Sequence, residues 1–175
     1  MVRYRRLVSS NPVFLTLVTQ GRERWLGRPE IFEIYLSAFR DAVRHFKWRG
    51  IAWVMLPDHL HWLLDPKDKS VPNGSYSEVA RRFKFSMTSA IQKNQPNEGG
   101  LWQDRFYEHT IKNETDLQRH FDCIHFNPVK HRIVQHSSQW KHSSFHYYVK
   151  RGWYPDEMEF DALALANLPG ARYDV

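Results

Sequence analysis

The chain holds a single cysteine, Cys123, in 175 residues. One thiol excludes an intramolecular disulfide and fits a reducing compartment. Long apolar runs are also missing. The longest unbroken one, Ile51 to Leu56, falls far short of the roughly 20 residues that a bilayer-spanning helix requires. Arg3, Arg5 and Arg6 stand near the N-terminus with no apolar stretch of signal-peptide length behind them, so a cytoplasmic protein with no membrane partner is expected. The sequence has no internal repeat, no low-complexity tract, no Cys-x-x-Cys, no P-loop and no Ser-His-Asp order. These absences remove disulfide scaffolds, membrane spans, P-loop phosphotransfer and the usual acyl-transfer triads from consideration.

What is present is a core and a charge bias. Hydrophobic residues make up 42% of the chain, enough for one domain of this length to bury a core without a metal or disulfide. Aromatics are abundant, with 7 Trp, 8 Tyr and 11 Phe, and the net charge is +6. That charge is uneven: residues 1–150 stand at +9 and residues 151–175 at −3. The division expected is therefore a basic body over 1–150 and an acidic tail over 151–175. A basic, aromatic-rich body suits a polyanion, and single-stranded nucleic acid uses both features.

The pattern along the chain reads strand, helix, strand, strand, helix, strand, helix. Val13 to Thr19 is β-branched and apolar between Asn11-Pro12 and Gln20-Gly21, which marks a buried strand. Glu30 to Lys47 carries apolar residues at helical spacing behind Pro29. Ile51 to Leu56 and His59 to Leu64 read as a pair of strands turned at Pro57-Asp58. Ser77 to Lys93 is expected as a helix, Arg105 to Ile111 as a fourth strand, and a last helix capped by Asn113 or Thr115 as ending near Pro128. From His131 the chain is polar, rich in Trp and His, and poorly periodic. The order predicts an α+β two-layer sandwich of ferredoxin or RNA-recognition-motif type, an antiparallel sheet with helices on one face.

Two groups of residues can carry chemistry. His59 and His61 are two apart, so on a strand both leave one face while Leu60, Trp62 and Leu64 enter a core on the other. Two neighbouring imidazoles make half a metal site. On the last helix His120, Cys123 and Asn127 share a face, with Leu117, Phe121 and Ile124 on the buried side. The Asn127-Pro128 step is expected to end that helix and let the Asn127 amide turn toward a site.

With those residues in view a resemblance becomes specific. Ala52-Trp53-Val54-Met55-Leu56-Pro57-Asp58-His59-Leu60-His61 resembles the signature of the HUH single-tyrosine transposases. Trp102-Gln103-Asp104-Arg105-Phe106-Tyr107-Glu108-His109 and Ile124-His125-Phe126-Asn127-Pro128-Val129-Lys130-His131 are similar to later blocks of one branch, the REP-associated tyrosine transposases. The resemblance runs from about Arg3 to Trp153. It implies a bacterial enzyme that acts on single-stranded DNA near REP-type palindromic hairpins, as a monomer or a dimer. It further implies that His59, His61 and Asn127 hold one divalent ion, Mg²⁺ or Mn²⁺, which polarises the scissile phosphate. In the family a tyrosine of the same helix attacks phosphorus, giving a 5′-phosphotyrosine link and a free 3′-hydroxyl.

The nucleophile position departs from the family. Its tyrosine falls four residues before Asn127, where this chain has Cys123. A thiol is much shorter than a phenol, so the expectation is a protein that binds metal and DNA but cleaves poorly or not at all. Tyr107 is a lesser candidate to replace the missing phenol. The DNA contacts expected are Arg3, Arg5 and Arg6; Arg81, Arg82 and Lys84 on the middle helix, with Lys84 matching a lysine of similar family members; and Lys130, His131 and Arg132. The acidic tail from Asp156 could lie over the basic groove. Two alternatives stay open: a non-catalytic hairpin-binding protein or repressor on the same fold, and a soft Zn²⁺ set of His59, His61, His120 and Cys123.

Overall fold

The computed structural model describes residues 8, 11–67, 75–93 and 100–155. Strands β1 (Val13–Val18), β2 (Trp48–Met55), β3 (His59–Pro66) and β4 (Tyr107–Thr110) form one sheet in the order β2-β3-β1-β4, with each neighbouring pair antiparallel. The helices are α1 (Ile31–His45), α2 (Tyr76–Gln92), α3 (Glu114–Lys130) and a short α4 (Phe145–Val149). Among the described residues no helix is long and apolar enough to cross a membrane.

The two central strands are buried along nearly their whole length, β1 at all six positions. That requires cover on both sheet faces, and the packing supplies it. Val13, Leu15 and Leu17 of β1 join Leu60, Trp62 and Leu64 of β3 in one core with Tyr35, Phe39 and Ala42 of α1 and Val79, Phe83 and Met87 of α2. Phe14 and Leu63 enter a second core with Leu117, Phe121 and Ile124 of α3 and Phe145 and Tyr148 of α4. The α+β class and the antiparallel sheet match the sequence reading, but the helices do not share one face. Helices α1 and α2 cover one side and α3 with α4 the other. A short apolar run such as β1 shows little alternation, which is what a strand buried on both faces looks like.

Three local features shape the rest. Strand β2 starts at Trp48 rather than Ile51, and its register with β3 shifts between Gly50 and Ala52. A Cβ at Gly50 would stand 2.5 Å from Phe39 Cζ, so glycine lets α1 close on the bulge. Helix α2 opens on a capping box in which Ser75 and Glu78 satisfy each other's backbone N–H groups. Helix α3 is capped by Asn113, whose Oδ1 accepts from Asp116 N at 2.9 Å.

Helix α3 does not end at Pro128, correcting the expectation. It continues to Lys130 with Pro128 buried inside it. The end comes at Arg132, in the left-handed region at φ 54, where Ile133 N donates to Pro128 O at 2.9 Å. The aperiodic stretch beyond it covers the β2 edge. Met55 N donates to His142 O and Ser144 N to Trp53 O, each at 2.9 Å, while Trp140 Nε1 reaches Met55 O and the Tyr148 hydroxyl reaches Ile51 O. An open strand edge is thereby closed.

Candidate functional site between the sheet and helix α3

Pairing in the sheet decides which face the histidines take. His61 lies opposite Thr16 and Val54, and His59 opposite Val18, so both histidines point to the side that α3 covers. Each is only 1% exposed. Their rings stand 5.0 Å apart, nearly perpendicular.

Each ring is fixed through Nδ1. His61 Nδ1 is 2.9 Å from Thr16 Oγ1, and its ring stacks on Phe14 at 5.3 Å. His59 Nδ1 is 2.7 Å from Asp58 Oδ1. Asp58 is itself held by Arg22, 3.3 Å from Oδ2. Burial works to raise the Asp58 pKa, but the hydrogen bonds and charge of His59 and Arg22 outweigh it and hold the carboxyl at about 2. A carboxylate on one ring nitrogen orients a histidine so that the other nitrogen, Nε2, faces the site.

Helix α3 lies over this pair. At its C-terminal end the ring of His131 meets His59 edge-on at 4.9 Å. Towards its N-terminal end His120 packs on Phe14 at 4.9 Å, and Phe14 stacks on His61 with its ring. Cys123 and Asn127 fall between those two contacts on the same helical face. Both are buried, Cys123 at 4% and Asn127 at 0% exposure. Asn127 Nδ2 donates to Cys123 O at 3.0 Å and lies 3.6 Å from its Sγ. Its Oδ1 is buried with no hydrogen-bond partner. A buried amide oxygen without a donor is costly and is expected to have a ligand. The chemistry of two imidazoles and this oxygen fits a small divalent cation.

The soft set does not close. Among the described residues the one group of three or more His, Cys, Asp or Glu side chains placed to share an ion is His109, Asp116 and His120. His120 therefore joins β4 and the start of α3 rather than His59, His61 and Cys123. Sequence reading missed His109 and Asp116, although Asp116 and His120 are four apart and thus one helical turn from each other.

The opposite side of α3 is held by a buried chain of hydrogen bonds. Tyr154 gives its hydroxyl hydrogen to Asp122 Oδ1 at 2.5 Å. The one Ser144 hydroxyl hydrogen goes to Trp53 O at 3.1 Å, so His125 Nε2 donates to Ser144 Oγ at 2.8 Å, and His125 Nδ1 lies 3.3 Å from the Tyr154 hydroxyl. Burial pushes the His125 pKa down to about 3. This neutral histidine ties α3 to Ser144, which also accepts from Trp53 N of β2 at 2.9 Å.

The basic residues fare unequally. Arg81 is exposed. Arg82 is engaged by Asp41 through two contacts of 2.8 and 3.3 Å. Lys84 is half-buried and donates to Gln103 O at 2.6 Å and Asp104 O at 3.3 Å, and burial lowers its pKa. It anchors the segment before β4. Lys130 is half-buried, Arg132 is exposed, and His131 packs on His59. Arg3, Arg5 and Arg6 and the tail from Asp156 lie outside the described residues. Tyr107 faces the same side of the sheet as His61, opposite Thr16 on β4.

A four-stranded antiparallel sheet with a His-x-His strand under a late helix is the architecture at hand, and comparison with known proteins places it. A family model described as "Transposase IS200 like" matches residues 8–121, and the chain belongs to that family. A REP-associated tyrosine transposase of Escherichia coli K12 is 41% identical over 159 residues, covering 89% of each chain. A Haemophilus influenzae relative is 32% identical over 167 residues, covering 90% of this chain and 93% of its own. A solved REP-associated tyrosine transposase, bound to a REP hairpin, superposes with a TM-score of 0.77 at 30% identity, covering 88% of each chain. Within the IS200-like family, this chain stands with the REP-associated tyrosine transposases.

Proposed function

We propose that this protein recognises single-stranded REP-type DNA hairpins and places a scissile phosphate between β3 and α3, with strand cleavage suppressed because Cys123 stands where the family carries its tyrosine. The observation that carries the reading is the juxtaposition of His59 and His61 with the α3 face bearing Cys123 and Asn127. Its hairpin partner is supported by the REP hairpin seen with the solved relative.

His59, His61 and Asn127 would hold a divalent ion, Mg²⁺ or Mn²⁺. Bound there, the ion supplies Lewis-acid stabilisation of charge on the phosphate oxygens. Asp58 and Thr16 fix the two imidazoles through Nδ1, and Asn127 Nδ2 binds Cys123 O, turning Oδ1 to the ligand side. Cys123 Sγ ends several ångströms short of where a phenol oxygen on the same Cα would reach. It is also enclosed at 4% exposure and lies against the Asn127 amide. Attack on phosphorus needs near-contact and in-line alignment, which the thiol lacks. Arg81 and Arg132 are exposed cations suited to the DNA backbone, with Lys130 beside the site and Arg3, Arg5 and Arg6 adding charge in sequence.

The test is binding and cleavage on one hairpin oligonucleotide. Tight, salt-sensitive binding that prefers the hairpin to duplex DNA, with no strand cleavage in Mn²⁺, is expected. Efficient covalent capture of the DNA by Cys123, or equal affinity for duplex, would overturn the proposal.

A further inference from the structure

We infer that His109, Asp116 and His120 form a second metal site, for a transition-metal dication such as Zn²⁺, that clamps β4 to the start of α3. The inference does not rest on the proposed function. One ligand atom from each of the three side chains lies within 4.8 Å of the other two. His109 Nε2 stands 2.9 Å from Asp116 Oδ2, and His120 Nδ1 stands 3.0 Å from Asp116 Oδ1 and 2.9 Å from the Asp116 backbone O, a hydrogen bond that an ion on Nδ1 would replace. Two ligand atoms each about 2.1 Å from one ion, at tetrahedral to octahedral angles, are separated by about 3.0 to 3.4 Å. The two imidazoles are stacked at 4.6 Å with planes 13° apart.

The carboxylate is preorganised from outside the group. Lys112 N donates to Asp116 Oδ2 at 2.9 Å, and Asn113 caps the turn that carries Asp116. Such supporting contacts hold a ligand in place. His120 is 1% exposed at its side chain while His109 and Asp116 are 13% and 16% exposed, so the group is walled by protein on one side and reachable from the other. Two imidazoles and one carboxylate favour Zn²⁺, Mn²⁺ or Fe²⁺ over Mg²⁺ and Ca²⁺, which prefer oxygen. An ion here fixes the position of His120, hence of Phe14 packed on it and of the α3 turn leading to Cys123.

The test uses Co²⁺ and Zn²⁺ alone, by equilibrium dialysis of the full chain without DNA, with Co²⁺ absorption as a second readout. A His59→Ala/His61→Ala protein should retain one equivalent. Adding Asp116→Asn or His109→Gln should weaken that binding by more than about tenfold. If circular dichroism shows the double substitution to be poorly folded, Asp116→Asn and His109→Gln in the otherwise unaltered chain read the same site, each lowering the stoichiometry by one equivalent. Either of two results overturns the inference: no ion retained by the folded His59→Ala/His61→Ala protein, or retention unchanged by Asp116→Asn and His109→Gln. The three residues would then be a hydrogen-bonded clasp only.

Discussion

Replacing Gly50 by alanine tests how closely α1 closes on the sheet. An alanine Cβ would lie 2.5 Å from Cζ and 2.8 Å from Cε1 of Phe39. Carbon atoms settle at about 3.5 to 4.0 Å, so the ring must withdraw by about 1 Å. It has little room. Phe39 is 6% exposed, and its ring is stacked on Tyr35 at 5.8 Å and set against Trp62 at 4.9 Å. Trp62 is held in turn by its hydrogen bond to the Tyr35 hydroxyl at 3.0 Å. Overpacking of this kind costs about 1 to 3 kcal/mol. Gly50 is not in the left-handed region, so alanine recovers about 0.4 to 1 kcal/mol by restricting the unfolded chain. A net loss of about 1 to 2 kcal/mol is expected, read as a lower urea midpoint at unchanged slope. Phe39→Leu removes the colliding atoms, so in that background Gly50→Ala should stabilise by about 0.4 to 1 kcal/mol, a coupling of about 1 to 3 kcal/mol in a double-mutant cycle. An additive cycle, or a neutral Gly50→Ala, would refute the packing argument.

Further outcomes follow from single contacts. With a folded pKa of about 3 against 6.5 unfolded, His125 binds a proton more readily in the unfolded chain, so its contribution to stability is complete above pH 6.5 and is lost as pH falls toward 3. Going from pH 7 to pH 5 should cost about 2 kcal/mol through this residue, and the His125→Gln protein should show a correspondingly flatter dependence in urea titrations. Lys84→Met removes the ammonium from Gln103 O and Asp104 O and should cost about 1 to 3 kcal/mol, with faster amide exchange around residues 103–106. For hairpin binding, Arg81→Ala should lessen the slope of log affinity against log salt by about one contact, whereas a merely solvated Arg81 leaves it unchanged.

The sequence made the strands and long helices legible because their periods are clean. The apolar spacing from Ile31 to Ala42 and the separation of His59 and His61 from Leu60 and Trp62 translate directly into faces. It put α3 on the wrong face, because β1 is buried at all six positions and carries no alternation to show that both faces are covered. Pro128 misled for another reason. A proline ordinarily stops a helix, but here tertiary burial keeps two more residues helical and closure falls to Arg132. The His109, Asp116 and His120 group joins a strand to a helix, so its local spacing reveals only half of it. The stretch from His131 to Tyr154 has no period because it works through single anchors such as Trp140, Ser144 and Tyr148 along the β2 edge.

On the proposed function, the site between β3 and α3 is built for phosphoryl transfer and lacks only its phenol. The most direct test is covalent capture of a labelled REP-type hairpin by the Cys123→Tyr protein in Mn²⁺, read as a denaturation-resistant adduct. An adduct is expected with Cys123→Tyr, none with the unaltered chain, and none when His61→Ala is added to Cys123→Tyr. An unaltered chain that forms the adduct, or a Cys123→Tyr protein that binds the hairpin fully yet never forms it, contradicts the proposed function.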